Sequence, residues 1–224
     1  MKVFALLMAA CAAFSAVAAP PEVNLAGAWS VRLADGTTAA ITLPGTLGDA
    51  KLGPAATKAV YGALTPRHQY VGKAVYTKTF SVPEGAKGDY ELFLERVMWK
   101  SAAAWDGKPL GERESLATPH VYAVPGAWLT PGRHTLTLTI DNSEQHPIGE
   151  NAHAYSRLDV MQRRWNGVLG TFCLRPVNPL RAARVFAPFG DTVTVELPEG
   201  LRDQAVKASV EGVATEAVAS APGT

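Results

Sequence analysis

The side chains best suited to chemistry gather late in the chain. Gln162-Arg163-Arg164-Trp165-Asn166-Gly167-Val168-Leu169-Gly170 sets two cations, an indole, an amide and two glycines where a long polar stretch gives way to strand-like Thr171-Phe172-Cys173-Leu174. Asn-Gly is a turn signal, because both residues tolerate positive φ. Gly170 lets the backbone bend or approach something closely. A large flat side chain at such a place has two readings: it plugs the space under the turn, or its face stacks on the C–H face of a sugar ring. Both readings of Trp165 stand at this stage.

Other chemistries find less support. Carboxyl pairs perform general acid/base and nucleophilic work, and the candidates are Glu91, Glu95, Asp141, Glu144, Glu150 and Asp159. Glu91 shares a strand-like run with Leu92 and Leu94 and reads as solvent-facing. Glu95 precedes Arg96 and reads as half of a local ion pair. Asp141-Asn142 closes a strand, where both residue types favour turns. No pair is assigned a catalytic role. The histidines are His68, His120, His134, His146 and His153; none has zinc-ligand spacing and no cysteine joins them, so no metal site is expected. There is no G-x-S-x-G and no glycine-rich phosphate loop, so no cofactor is expected either.

The elements that must position these residues are almost all β. Lys73–Val82 alternates, with Ala74, Tyr76, Lys78 and Phe80 on one face, and stops at Pro83-Glu84-Gly85. Tyr90–Val97 is a second strand. His134–Ile140 sets Leu136, Leu138 and Ile140 inward and threonines outward. Asp35-Gly36 and Asp106-Gly107 are hairpin signals, and Trp29 and Trp105 beside them read as buried. Short strands with Gly, Pro and Asp turns predict an all-β chain: an antiparallel β-sandwich of jelly-roll type over residues 25–177. The segments Pro44–Gly72 and Asn142–Arg164 are long for loops of a compact domain, and such loops usually carry function. After Pro176-Val177-Asn178-Pro179 a new β pattern starts, with strands expected at Ala183–Ala187, Thr192–Leu197 and Val206–Val210. Three strands are too few for a sandwich, so residues 180–224 read as a second all-β domain cut short.

Residues 1–18 have the form of a secretory signal. Lys2 precedes an apolar run, and Ala16-Val17-Ala18 supplies a small-x-small cleavage site. The expected location is exported, periplasmic or extracellular, with a lipoprotein attached through Cys11 as the alternative. The apolar run is too short for a bilayer-spanning helix, so no membrane span is expected. The chain holds 21 Lys+Arg and 20 Asp+Glu, and loss of Lys2 leaves it formally neutral. No basic stripe argues for nucleic acid. Cys173 would be the remaining cysteine, so the exported chain has no disulfide framework, and a small buried hydrophobe is its simplest role.

Several segments, in order, carry a resemblance: Leu43-Pro44-Gly45-Thr46-Leu47, Tyr70-Val71-Gly72-Lys73-Ala74-Val75-Tyr76, Leu92-Phe93-Leu94-Glu95-Arg96, Thr118-Pro119-His120-Val121-Tyr122, Leu129-Thr130-Pro131-Gly132-Arg133-His134, Ile140-Asp141-Asn142 and Trp165–Gly170. Together they resemble the amino-terminal part of family 2 glycoside hydrolases, the family of β-galactosidases, β-glucuronidases and β-mannosidases. The resemblance covers roughly residues 25–190. It implies a jelly-roll, galactose-binding-like sugar-binding domain, an immunoglobulin-like sandwich begun at residue 180, and a catalytic (β/α)₈ barrel that this chain does not reach. In retaining glycosidases two carboxyls stand about 5–5.5 Å apart; the family carries them on the barrel, so no catalytic residue is expected here. The implied partners are an oligosaccharide or glycan and that barrel. The resemblance makes His153, Asp159, Arg163, Arg164, Trp165 and Asn166 candidates for a substrate rim or domain interface. Some members carry an acidic residue shortly before the tryptophan; here Arg163 and Arg164 stand in that place, and Asp159 is the nearest carboxylate. A free-standing carbohydrate-binding module without hydrolase activity is the alternative reading.

Overall fold

The sandwich follows from alternation, most of its strands turning every second residue into one shared core. It is seen in a computed structural model that describes residues 20–57, 67–146, 164–182, 184–186 and 194–196. The chain divides into two compact units, Met1–Pro176 and Val177–Thr224. The first contains β1 (Val23–Asn24), β2 (Gly27–Leu33), β3 (Thr38–Leu43), β4 (Gly45–Thr46), β5 (Lys73–Val82), β6 (Tyr90–Arg96), β7 (Lys100–Trp105), β8 (Lys108–Glu114), β9 (His120–Val124), β10 (Gly132–Asp141) and β11 (Gly167–Pro176).

These strands form two antiparallel sheets. One has the order β3-β2-β5-β10-β7-β8; the other has β1-β11-β6-β9, with β4 added alongside β11. From β5 onward the chain crosses between sheets at every connection except the β7–β8 hairpin, which is jelly-roll wiring. The all-β sandwich expected from the alternation is therefore present. Central strands β5 and β10 pair over their whole lengths, from Gly132 opposite Val82 to Asp141 opposite Lys73. Their inward residues Ala74, Tyr76, Leu136, Leu138 and Ile140 are fully buried. Leu92, Leu94, Tyr122 and Leu174 meet them from the other sheet. Trp29 bridges the layers by stacking on Phe172, with ring centroids 5.2 Å apart. Trp105 is buried edge-on to Phe80. Cys173 is buried, as read from its apolar neighbours.

Turn chemistry accounts for the β7–β8 hairpin. Asp106 and Gly107 both have positive φ, 47° and 78°, as a two-residue type I′ turn requires. The Asp106 carboxylate accepts the Thr135 N–H at 2.7 Å and lies 2.7 Å from His134 Nδ1, tying the hairpin to β10.

Two glutamates depart from expectation. Glu91 does not simply face solvent: it lies opposite Arg175 across the β6–β11 ladder and pairs with it at 2.5 Å, both side chains largely covered. Cross-strand geometry, invisible without the register, brings them together. Glu95 does not serve Arg96 first. It accepts the Thr171 N–H at 2.7 Å, and that bond holds its carboxyl below the usual carboxylate range. The site is a bulge, where the register of β11 on β6 shifts between Leu169 and Phe172. Gly170 is at φ 74°, and a Cβ there would stand 2.5 Å from the Glu95 carboxyl carbon. Its glycine thus makes room for the carboxylate that closes the bulge.

The second unit is described in part. A 3₁₀ turn at Pro179–Ala182 precedes β12 (Arg184–Phe186), which pairs antiparallel with β13 (Thr194–Glu196). These match two of the three expected strands. Val206–Val210 lies outside the described residues.

Between the sheets of the first unit lies a buried polar group of three. Ser101 Oγ is 2.6 Å from both His120 Nδ1 and the Tyr122 hydroxyl. Burial holds the His120 imidazole below its ordinary value and pushes the Tyr122 phenol up to about 12. The folded state therefore favours neutral His120. As pH falls through the unfolded-state value of about 6.5, the unfolded chain takes up a proton that the folded chain resists. Stability should fall between pH 7 and pH 5 in urea unfolding, and His120→Gln should flatten that slope. An unchanged slope in the variant would remove His120 as its source.

Candidate functional site

At the start of β11 the sequence reads Asn-Gly, but the structure makes no hairpin there. Gly167 alone of the two has positive φ, 145°, and it begins a strand. Asn166 is instead buried, with 1% of its surface exposed, because its amide has four uses. Its Oδ1 accepts the Tyr76 hydroxyl at 2.6 Å. Its Nδ2 faces the carbonyls of Gly72 and Ile140 at 3.0 and 3.2 Å, and Asn142 Oδ1 at 3.4 Å. Asn142 is also fully buried, donating to the Tyr70 carbonyl at 2.8 Å and accepting the Gly72 N–H at 2.9 Å. Burial, and secondarily Tyr70, raises the Tyr76 phenol, which keeps it protonated and donating.

This polar knot joins three distant pieces of chain. It binds the last residue of the 44–72 segment, the end of β10 and the entry to β11. The Asn166 carbonyl accepts the Leu47 N–H at 2.8 Å, drawing in the other end of the 44–72 segment. Gly167 then pairs with Thr46, and a Cβ at 167 would lie 2.1 Å from the Gly45 carbonyl oxygen. Only a glycine permits two backbones to approach so closely.

Immediately outside the knot is a cleft of about 490 Å³. Arg164 and Trp165, both half-buried, line one side. Thr46, Asp49, Lys51, Arg67 and His68 line the rest. The Thr46 hydroxyl donates to Asp49 at 2.7 Å and accepts the Asp49 N–H at 3.1 Å, which fixes that turn. His68 Nδ1 donates to the Gly53 carbonyl at 3.1 Å. Tyr70 separates this cleft from a wider, shallower one beside Leu52, Pro54 and Val71. The Tyr70 hydroxyl is fixed by donating to the Lys73 carbonyl and accepting the Ala34 N–H.

Of the candidates named from sequence, Arg164, Trp165 and Asn166 come together here, Asn166 as a buried anchor and not as a surface group. His153, Asp159 and Arg163 lie outside the described residues. Trp165 is a wall of the cleft, so neither a buried plug nor a freestanding platform describes it. Sequence reading missed Lys51, Arg67 and His68. Their one signal was the unusual length of the 44–72 segment. Among the described residues Asp49 is the one carboxylate lining the cleft, and no group of three His, Cys, Asp or Glu side chains could hold a metal ion. No helix among them is long and apolar enough to cross a membrane.

Known structures place this sandwich in company. It superimposes on a β-D-glucuronidase from Dictyoglomus thermophilum with TM-score 0.53 and 14% identity, covering 80% of this chain and 33% of that one. A β-glucuronidase from an uncultured Clostridium sp. gives TM-score 0.53 and 16% identity, covering 80% and 34%. The chain shares the fold of part of these glycosidases. A GH2 β-galacturonidase from Eisenbergiella tayi gives TM-score 0.49 at 20% identity, covering 75% of this chain and 26% of that one. The chain thus spans about a quarter to a third of the length of these enzymes. No protein-family profile matches the chain, and no curated protein matches it.

Asn166→Ala tests the knot. It strips partners from the buried Tyr76 hydroxyl and three backbone or amide groups, so the cost should be about 2–3 kcal/mol. Urea denaturation reads this directly. A loss under about 0.5 kcal/mol would place Asn166 with ordinary surface residues.

Proposed function

We propose that this chain is the non-catalytic, carbohydrate-binding part of an exported retaining β-glycosidase of the β-galactosidase and β-glucuronidase class. The observation that carries the reading is the cleft of Arg164, Trp165 and Arg67 on a sandwich whose fold recurs in β-glucuronidases. An indole beside charged groups suits a sugar, whose C–H face is apolar and whose hydroxyls need partners. The described lining has one carboxylate, whereas retaining hydrolysis requires two. On this reading the acid/base and the nucleophile belong to a separate barrel domain. The sandwich would form one wall of that barrel's pocket, with residues 180–224 beginning an immunoglobulin-like domain between them. Export rests on the signal-like residues 1–18.

The purified chain should bind components of a glycan array, lose that binding on Trp165→Ala, and leave aryl β-glycosides intact. Turnover above background would overturn the non-catalytic assignment. A blank array would overturn the carbohydrate-binding one.

A further inference from the structure

A strand at the end of a sheet offers unpaired N–H and C=O groups to any other extended chain, and folded proteins protect such edges. The first unit protects all of its described sheet ends but one. β8 carries Lys108, Pro109, Glu112, Arg113 and Glu114, and its register on β7 shifts between Ala103 and Ala104. β1 and β4 have two residues each. On β9 the Val121 carbonyl accepts the Arg113 guanidinium at 2.7 Å. β3, the other end of the six-stranded sheet, has none of these devices. It reads Thr38-Ala39-Ala40-Ile41-Thr42-Leu43, without charge, proline or bulge.

The ladder fixes which groups β3 offers. The Leu33 N–H donates to the Thr37 carbonyl and the Gly36 N–H donates to the Leu33 carbonyl, so Leu33 belongs to a hydrogen-bonded pair. Antiparallel strands alternate bonded and non-bonded pairs. Val31–Ala39 and Trp29–Ile41 are therefore the bonded pairs of β2 and β3. The backbone groups of Thr38, Ala40 and Thr42 point away from β2. No backbone group among the described residues bonds to them from the other side. All three residues are exposed, while Ile41 and Leu43 are buried.

We propose that β3 pairs with β3 of a second copy of this chain, antiparallel about a two-fold axis through Ala40, joining the two six-stranded sheets into one. The inference is independent of the carbohydrate-binding reading. About that axis Ala40 faces Ala40 of the other copy, Thr38 faces Thr42, and Ala39 faces Ile41. Exposed residues thereby meet exposed ones, and small Ala39 stands beside the larger Ile41. Thr–Thr pairs are favourable across strands. No like charges meet. Arg32 is the one charge on β2 and lies opposite Thr38 in its own copy. That row continues to Thr42 and Ala28 of the other copy, so the two Arg32 side chains stand at opposite ends of the seam. This match of size, facing and charge favours a second copy over an unrelated strand.

A seam of one short strand buries less than a standard-size interface, so the dimer should be weak and dissociate on dilution. Sedimentation velocity of the full chain over a concentration series should show that equilibrium. Ala40→Lys and Ala40→Glu each set like charges face to face on the axis and should weaken the dimer at least about tenfold. An equimolar mixture of the two variants should regain it, because opposite charges then meet. Ala40 is exposed and its N–H lies outside the β2 ladder, so the melting temperature of dilute samples should not move in either variant. A chain that stays monomeric up to its solubility limit would overturn the proposal and leave the edge to a foreign strand. A dimer indifferent to both charges would place the interface elsewhere. Dissociation in both variants without recovery in the mixture would overturn the axis through Ala40.

Discussion

The buried amide pair Asn166–Asn142 is the interaction on which the functional end of the sandwich depends. A buried amide left without partners is costly, and such groups persist where their bonds are made in full. Here the bonds reach Tyr76 on a central strand and the carbonyls of Tyr70, Gly72 and Ile140. The knot therefore converts two irregular segments into fixed extensions of the sheet. Apolar packing alone would leave their backbone groups unsatisfied and their path undetermined.

From that point the cleft is a consequence of geometry. The Leu47 N–H bonds to the Asn166 carbonyl, and Thr46 pairs with Gly167, so the 44–72 segment starts against β11. It ends at Gly72, held by Asn142. With both ends tied to one spot, the described residues between them fold back beside Arg164 and Trp165. The cations are thus grouped by a hydrogen-bond network that contains none of them.

Much of the sandwich was legible because its signals are local. The leucine and threonine alternation of β10 and the Asp106-Gly107 turn each reside within a few neighbouring residues. The hidden parts depend on partners far apart in sequence. Glu91 meets Arg175 only through the β6–β11 register, and Glu95 meets Thr171 only through a bulge. Asn166-Gly167 misled for a related reason. The pair is a turn signal in isolation, but a tyrosine ninety residues earlier claims the amide. Arg67 and Lys51 had no motif at all, since their role comes from where the knot deposits their segment.

The close approach of Gly45 and Gly167 separates what can change from what cannot. The backbone crossing and the amides beneath it tolerate almost no substitution, whereas Lys51, Arg67 and Trp165 line the cleft outside that hydrogen-bond network. A scaffold arranged this way keeps its recognition chemistry detachable. Replacing Lys51, Arg67 and Trp165 would retune which guest is held while the frame stays the same. That is the arrangement from which a diverging lineage, or a protein engineer, obtains new specificities on one unchanging chassis.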